Sequence, residues 1–228
     1  MAAKEGTFSK DTFQFFRDLG RHNRKEWMDE HRDRYQASVV RPLKRLLEEM
    51  RPAVLKLNPQ FETTGRRGAN FSRINRDIRF AKDKTLYKTN MYVKFPVLLG
   101  GELESGELYA GVSADVATAG FRIYGGSKRK QSVLALVAEP RIAENPGWLA
   151  RQKKKLGREY ESYWYSAIKG DWKKNSSWPK NEDWPKLQAW VVRKKLSPAA
   201  TVRPNYPGEL AKIFRDVYPI LKFVSIPE

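Results

Sequence analysis

Apolar residues recur at helical spacing through the first sixty positions and then give way to short aromatic and β-branched runs. Phe13, Phe16 and Leu19, with polar residues between them, predict a short amphipathic helix that Ser9 caps and Gly20 ends. Asn23 stands three residues before Glu26, a loose capping box, and Trp27, Met28, His31 and Tyr35 continue at helical spacing. Pro42 suits the first turn of a further helix bearing Leu43, Leu46, Leu47 and Met50, and Pro52 and Pro59 bracket the end of this helical third. After a loop marked by Gly65 and Gly68, the stretches Met91 to Leu98, Glu107 to Ser113 and Gly120 to Tyr124 read as antiparallel strands, punctuated by Gly100-Gly101 and Gly125-Gly126. Ser132 to Ala138, Trp148 to Leu156 and Pro207 to Phe223 read as helices.

Helices on either side of a mainly antiparallel sheet predict an α+β fold. We read residues 1–228 as one domain, with a helical third at about 9–58, a sheet-rich middle at about 61–126 and a helical and loop part at about 128–228. A division near Lys128 is the alternative. At 40% apolar content a chain of 228 residues can build a sizeable core.

Charge changes the picture most. Against 26 acidic residues stand 44 Lys and Arg, a net charge of +18, which predicts a positive surface potential and attraction to polyanions, nucleic acid first among them. Charge alone describes a field and not a site. With no cysteine, disulfides, thiolate nucleophiles and zinc ribbons are excluded. The two histidines, His22 and His31, are nine apart and do not form an i, i+4 metal pair. The start, Met-Ala-Ala-Lys-Glu-Gly, lacks the apolar core of a secretory signal, and no apolar run approaches the roughly 20 residues of a membrane span. A cytoplasmic location and no membrane partner are the expectation.

Six of the seven tryptophans fall between Trp148 and Trp190, among the basic runs 153–155, 173–174 and 193–195. Aromatic faces among cations suit single-stranded nucleic acid, because bases stack while phosphates pair with Lys or Arg. Large aromatics more often build cores, however, and Trp164 with Tyr160 and Tyr163 at helical spacing can pack inward. Between Gly170 and Lys186 the chain reads as a polar loop holding Trp178-Pro-Lys and Trp184-Pro-Lys.

The most informative stretch runs from Arg73 to Thr89, with six basic side chains, two aspartates and little bulky aliphatic content. Arg73, Arg76, Asp77, Arg79, Phe80, Asp83, Lys84, Tyr87, Lys88 and Thr89 match R-x-x-R-D-x-R-F-x-x-D-K-x-x-Y-K-T. That pattern resembles the signature of a bacterial family of uncharacterised proteins of about this length. The likeness extends to Phe8, Phe15, Leu19, Asn23, Glu26, Trp27, His31, Tyr35 and Pro42 and weakens after about Gly126. Membership implies no established activity, so function has to come from the residues.

Guanidinium groups present paired donors that match phosphate or carboxylate oxygens, and a carboxylate such as Asp77 can hold a neighbouring Arg in one orientation. We therefore expect an anionic, phosphate-bearing ligand, nucleic acid included, held by Arg73, Arg76, Asp77, Arg79, Lys84, Tyr87 and Lys88, with Phe80 as a core anchor. An extended backbone would put Arg73, Asp77 and Arg79 on one face and Ile74, Ile78 and Phe80 on the other; a helical one would pair Arg73 with Asp77. Two rival readings stand beside this one. In the first, the chain is an enzyme acting on a small anion or phosphodiester, with Asp77 as base or metal ligand and Mg²⁺ as the one conceivable cofactor. Two aspartates amid six cations suit pairing with those cations better than metal binding, and no Walker loop, dinucleotide fingerprint or nucleophile elbow is present. In the second, the Arg and Asp residues form an ion-pair lattice that only secures the fold.

Overall fold

Ser9 and Thr12 start the first helix together: the Ser9 N–H donates to Thr12 Oγ1 at 3.2 Å, and Thr12 Oγ1 donates to the Ser38 carbonyl at 2.7 Å. In the computed structural model, which describes residues 6–79, 81–97, 105–125, 133–168 and 171–225, helix α1 spans Lys10–Arg21 and buries Phe13, Phe15, Phe16 and Leu19. Helices α2 (Lys25–Glu30) and α3 (Arg32–Tyr35) follow, and one π-helical stretch, Gln36–Val40, leads into α4 (Arg41–Leu57). Pro42 sits in the first turn of α4, as its missing donor favours. Pro52 lies inside that helix instead of marking its end, and the buried stripe Leu43, Leu46, Leu47, Met50 and Val54 runs past it.

Strands β1 (Asn90–Val97), β2 (Ser105–Ser113) and β3 (Ala117–Tyr124) form a meander, as the sequence predicts. Helices α5 (Val133–Glu144) and α6 (Trp148–Leu156) come next. From Tyr160 onward the structure departs from the expectation of helix and loop. Tyr160–Ile168 is strand β4, Asp171–Asn175 is β5 and Leu187–Leu196 is β6, so half of the six strands among the described residues lie in the C-terminal part. The reason is legible in hindsight: residues 160 and 164 share a side at both a period of 2 and a period of 3.6. Only Tyr163 discriminates, and it points opposite to the buried Tyr160 and Trp164. Within the segment read as a polar loop, Asn181–Lys186 is a 3₁₀ helix that buries Trp184. Helices α7 (Pro198–Thr201) and α8 (Tyr206–Ser225) complete the chain.

The strand order is β1-β2-β3-β6-β4-β5, antiparallel throughout. Pairing of β3 with β6 joins the middle and the C-terminal part in one sheet. One face, with Val93, Phe95, Leu108, Phe121, Trp190 and Val192, is buried under α4 and α8. Phe95 meets Phe214 of α8 edge-on at 5.6 Å, and Phe121 meets Trp190 at 5.5 Å. Trp164, Trp184 and Trp190 are core residues, whereas Trp172 is 43% exposed. The opposite face carries the alternate residues, among them Tyr92, Lys94, Glu107, Arg122 and Arg193. Phe80, Gly100, Gly101, Gly126 and Gly170 lie outside the described residues. No helix among the described residues is long and apolar enough to cross a membrane.

Candidate anion-binding site

The polar signature forms a narrow two-armed loop with neither arm helical. Arg76 N–H donates to the Leu86 carbonyl at 2.9 Å and Lys88 N–H to the Ile74 carbonyl at 2.7 Å, which sets Asn75 opposite Tyr87. Each arm contributes one buried anchor, Ile74 and Tyr87, with Leu86 packed against the core beside them, while the Arg, Lys and Asp side chains are too polar to be fully buried. Tyr87 uses its own N–H and C=O on the other edge. There Asn23 Oδ1 accepts from Tyr87 N and Asn23 Nδ2 donates to Tyr87 O, both at 2.9 Å, so one side-chain amide does the work of a neighbouring strand. Asn23 therefore clamps the loop; the N-cap of α2 is Arg24.

The loop is also tied to the sheet edge. Ser72 N–H donates to the Tyr92 carbonyl at 3.1 Å, and the fully buried Asn70 donates to the carbonyls of Glu62 and Lys94 at 2.7 and 2.9 Å. An open hollow of about 670 Å³ lies between the loop and the outer face of the sheet. Its wall brings together Arg73, Arg76, Asp77, Arg79 and Lys88 of the signature with Lys94 of β1 and Arg122 of β3. Among the described residues of this wall, six cations thus face a single carboxylate.

Most of these cations have internal partners. Arg79 is held by Asp77 in a bidentate pair at 3.0 and 2.7 Å. Arg76 bonds to Asp83 and, at 2.5 Å, to Thr85 Oγ1. Arg122 bonds to the buried Glu107, which Lys94 approaches at 3.7 Å. The side chains of Arg73 and Lys88 make no hydrogen bond or ion pair with any described residue. Burial first, and then the charges of Arg73, Arg122, Lys94 and Arg76, holds the Lys88 ammonium below the usual lysine range. Asp77 is held below its usual range as well, which for a carboxylate favours the charged form: hydrogen bonds from the Arg79 side chain and backbone, with the Arg73 charge, are the cause. A carboxylate so engaged is a weak proton acceptor at neutral pH.

Two residues expected at the site take other roles. Lys84 Nζ donates to the Ile78 carbonyl at 3.0 Å and does not line the hollow. Tyr87 is a buried anchor; with Arg76, Asp83 and Lys88 it borders a neighbouring hollow of about 430 Å³. Lys94 and Arg122 were not singled out in the sequence, although alternation along β1 and β3 places both on the outer face. Among the described residues, no three His, Asp or Glu side chains are grouped so as to hold a metal ion. His31 stacks on Trp27 at 4.1 Å and donates from Nδ1 to the Trp27 carbonyl, 2.9 Å away.

Residues 11–223 match the pattern of the conserved hypothetical protein family DUF2461. The chain belongs to that family. The match runs well beyond Gly126, where the resemblance read from individual residues fades, and so takes in the strands β4 to β6. No curated protein and no solved structure matches this DUF2461 chain.

Proposed function

We propose that the protein binds a phosphate-bearing anion in the hollow between the signature loop and the sheet. The observation that carries this reading is the crowding of Lys88 and Arg73, two cations whose side chains make no hydrogen bond or ion pair with any described residue, among Arg76, Lys94 and Arg122 in a water-accessible concavity. An ion-pair lattice would leave no such surplus, since its purpose is mutual neutralisation. A multiply charged anion entering the hollow supplies the missing countercharge and accepts from donors already in place. Asp77 acts in this scheme as the part that fixes Arg79 at the rim. Turnover with Asp77 as base or metal ligand has less support, because both of its oxygens are already engaged by Arg79.

The test is calorimetric titration with inorganic pyrophosphate at low salt, comparing the wild-type chain with Lys88→Met and Arg73→Met. Each substitution removes a charge-assisted contact, so affinity falls by roughly tenfold or more. No heat of binding to the wild-type chain, or equal affinity in all three proteins, would contradict the proposal.

A further inference from the structure

The outer face of the sheet carries a second kind of chemistry. Along β1, β4 and β5 it presents the partly exposed Tyr92, Tyr163 and Tyr165 and the exposed Trp172. Tyr165 meets Tyr163 at 5.9 Å and 85°, and Trp172 at 5.9 Å and 74°, so the three rings make a contiguous aromatic strip. Cations are seated over these rings. Arg122 lies 5.2 Å from the Tyr92 ring centre and 5.1 Å from that of Tyr109, while Lys174 and Arg193 lie 4.2 and 5.1 Å from Tyr163. Gly111 is part of the device: a Cβ there would stand 2.2 Å from the Tyr92 ring, so only glycine lets that ring lie down on the sheet. The hydroxyls of Tyr92, Tyr163 and Tyr165 have no hydrogen-bond partner among the described residues.

We infer that this face is a track for single-stranded nucleic acid that leads into the hollow. The inference rests on the anion-binding reading above, and it names the class of ligand. Arg122 and Lys94 belong both to the face and to the wall of the hollow, so the two surfaces are continuous. From β1 to β5 the sheet has five interstrand gaps, which at ~4.8 Å each give roughly 24 Å. That length suits a site of about four nucleotides, the short end of the range for sheet-based single-strand binders. Rings interleaved with cations match a chain that alternates flat bases and phosphates, whereas an acidic peptide would use the cations and leave the rings idle. A duplex hides its base faces and cannot stack on them.

The experiment is fluorescence anisotropy with a labelled single-stranded oligothymidine of about 12 nucleotides, run beside the pyrophosphate titration. Tyr165→Ala and Trp172→Ala each weaken the oligonucleotide by at least about fivefold and leave pyrophosphate affinity unchanged, while Tyr165→Phe keeps the affinity. Lys88→Met weakens both ligands. Unchanged oligonucleotide affinity in the Tyr165→Ala, Trp172→Ala double variant overturns the track. So does equal binding of a duplex of the same length, or equal competition by poly-glutamate. Pyrophosphate binding without oligonucleotide binding removes the track and spares the hollow. Oligonucleotide binding that depends on Trp172, with no pyrophosphate binding, removes the hollow's phosphate role and keeps the track.

Discussion

Replacing Asn23 by alanine should loosen the signature loop from a distance of 64 residues along the chain. The variant loses two hydrogen bonds of 2.9 Å to the backbone of Tyr87, each contributing about 1 kcal/mol net. It also strands the Tyr87 N–H and C=O beside a side chain that is 8% exposed, where water reaches them poorly. That orphaning adds about another 1 kcal/mol, giving a total near ~3 kcal/mol. For a chain of this size the melting temperature should fall by about 6–12 °C. Circular dichroism melting measures that change. Hydrogen exchange with mass spectrometry adds the location: exchange should accelerate in the peptide covering residues 73–89 ahead of the sheet. A melting temperature within about 1 °C of wild type, with unchanged exchange in that peptide, would refute the clamp.

Lys88→Met should raise the melting temperature of the unliganded protein while weakening pyrophosphate binding, because the ammonium is held among like charges. The sign follows from linkage: Lys88 has a lower pKa folded than its unfolded value of 10.5, so its charge penalises the fold fully below the folded value. As pH rises through that value toward 10.5 the penalty is relieved and the advantage of the variant shrinks; thermal melts across that range check it, and a variant less stable than wild type at neutral pH contradicts it. Gly120→Ala should cost at least about 2 kcal/mol, because its Cβ would stand 2.0 Å from the Val192 carbonyl oxygen in the β3–β6 seam. Gly208→Ala, in open space on α8, should instead stabilise by about 0.5 kcal/mol. Denaturant unfolding distinguishes the two.

The helices α1, α4 and α8 and the strand β1 were legible because each repeats its apolar residues with one clear period, and β2 and β3 because turn residues punctuate their short aromatic and β-branched runs. Strand β6 hid for the opposite reason. It lies between β3 and β4, its first six residues are all buried, and it ends in charges that read as a basic run. The signature announced itself by its density of donors, so Arg73, Arg76, Asp77, Arg79 and Lys88 could be assembled from the chain alone. Lys94 and Arg122 could not, because strand register and not local composition brings them beside the loop. Asn23 shows the same limit: three residues before Glu26 it looks like a helix cap, and its true partner is 64 positions away. The tyrosine strip is likewise a product of register, since Tyr92, Tyr163 and Tyr165 share a face only once β1, β4 and β6 are in one sheet.

The claim on which the rest depends is that Arg73 and Lys88 wait with unused donors for a negatively charged guest. Amide chemical-shift mapping during a pyrophosphate titration tests it most directly. Saturable shifts concentrated at residues 72–79, 88 and 94, and lost in Lys88→Met, are the predicted result. Shifts absent at saturating pyrophosphate, or scattered over the basic surface without saturation, would contradict it.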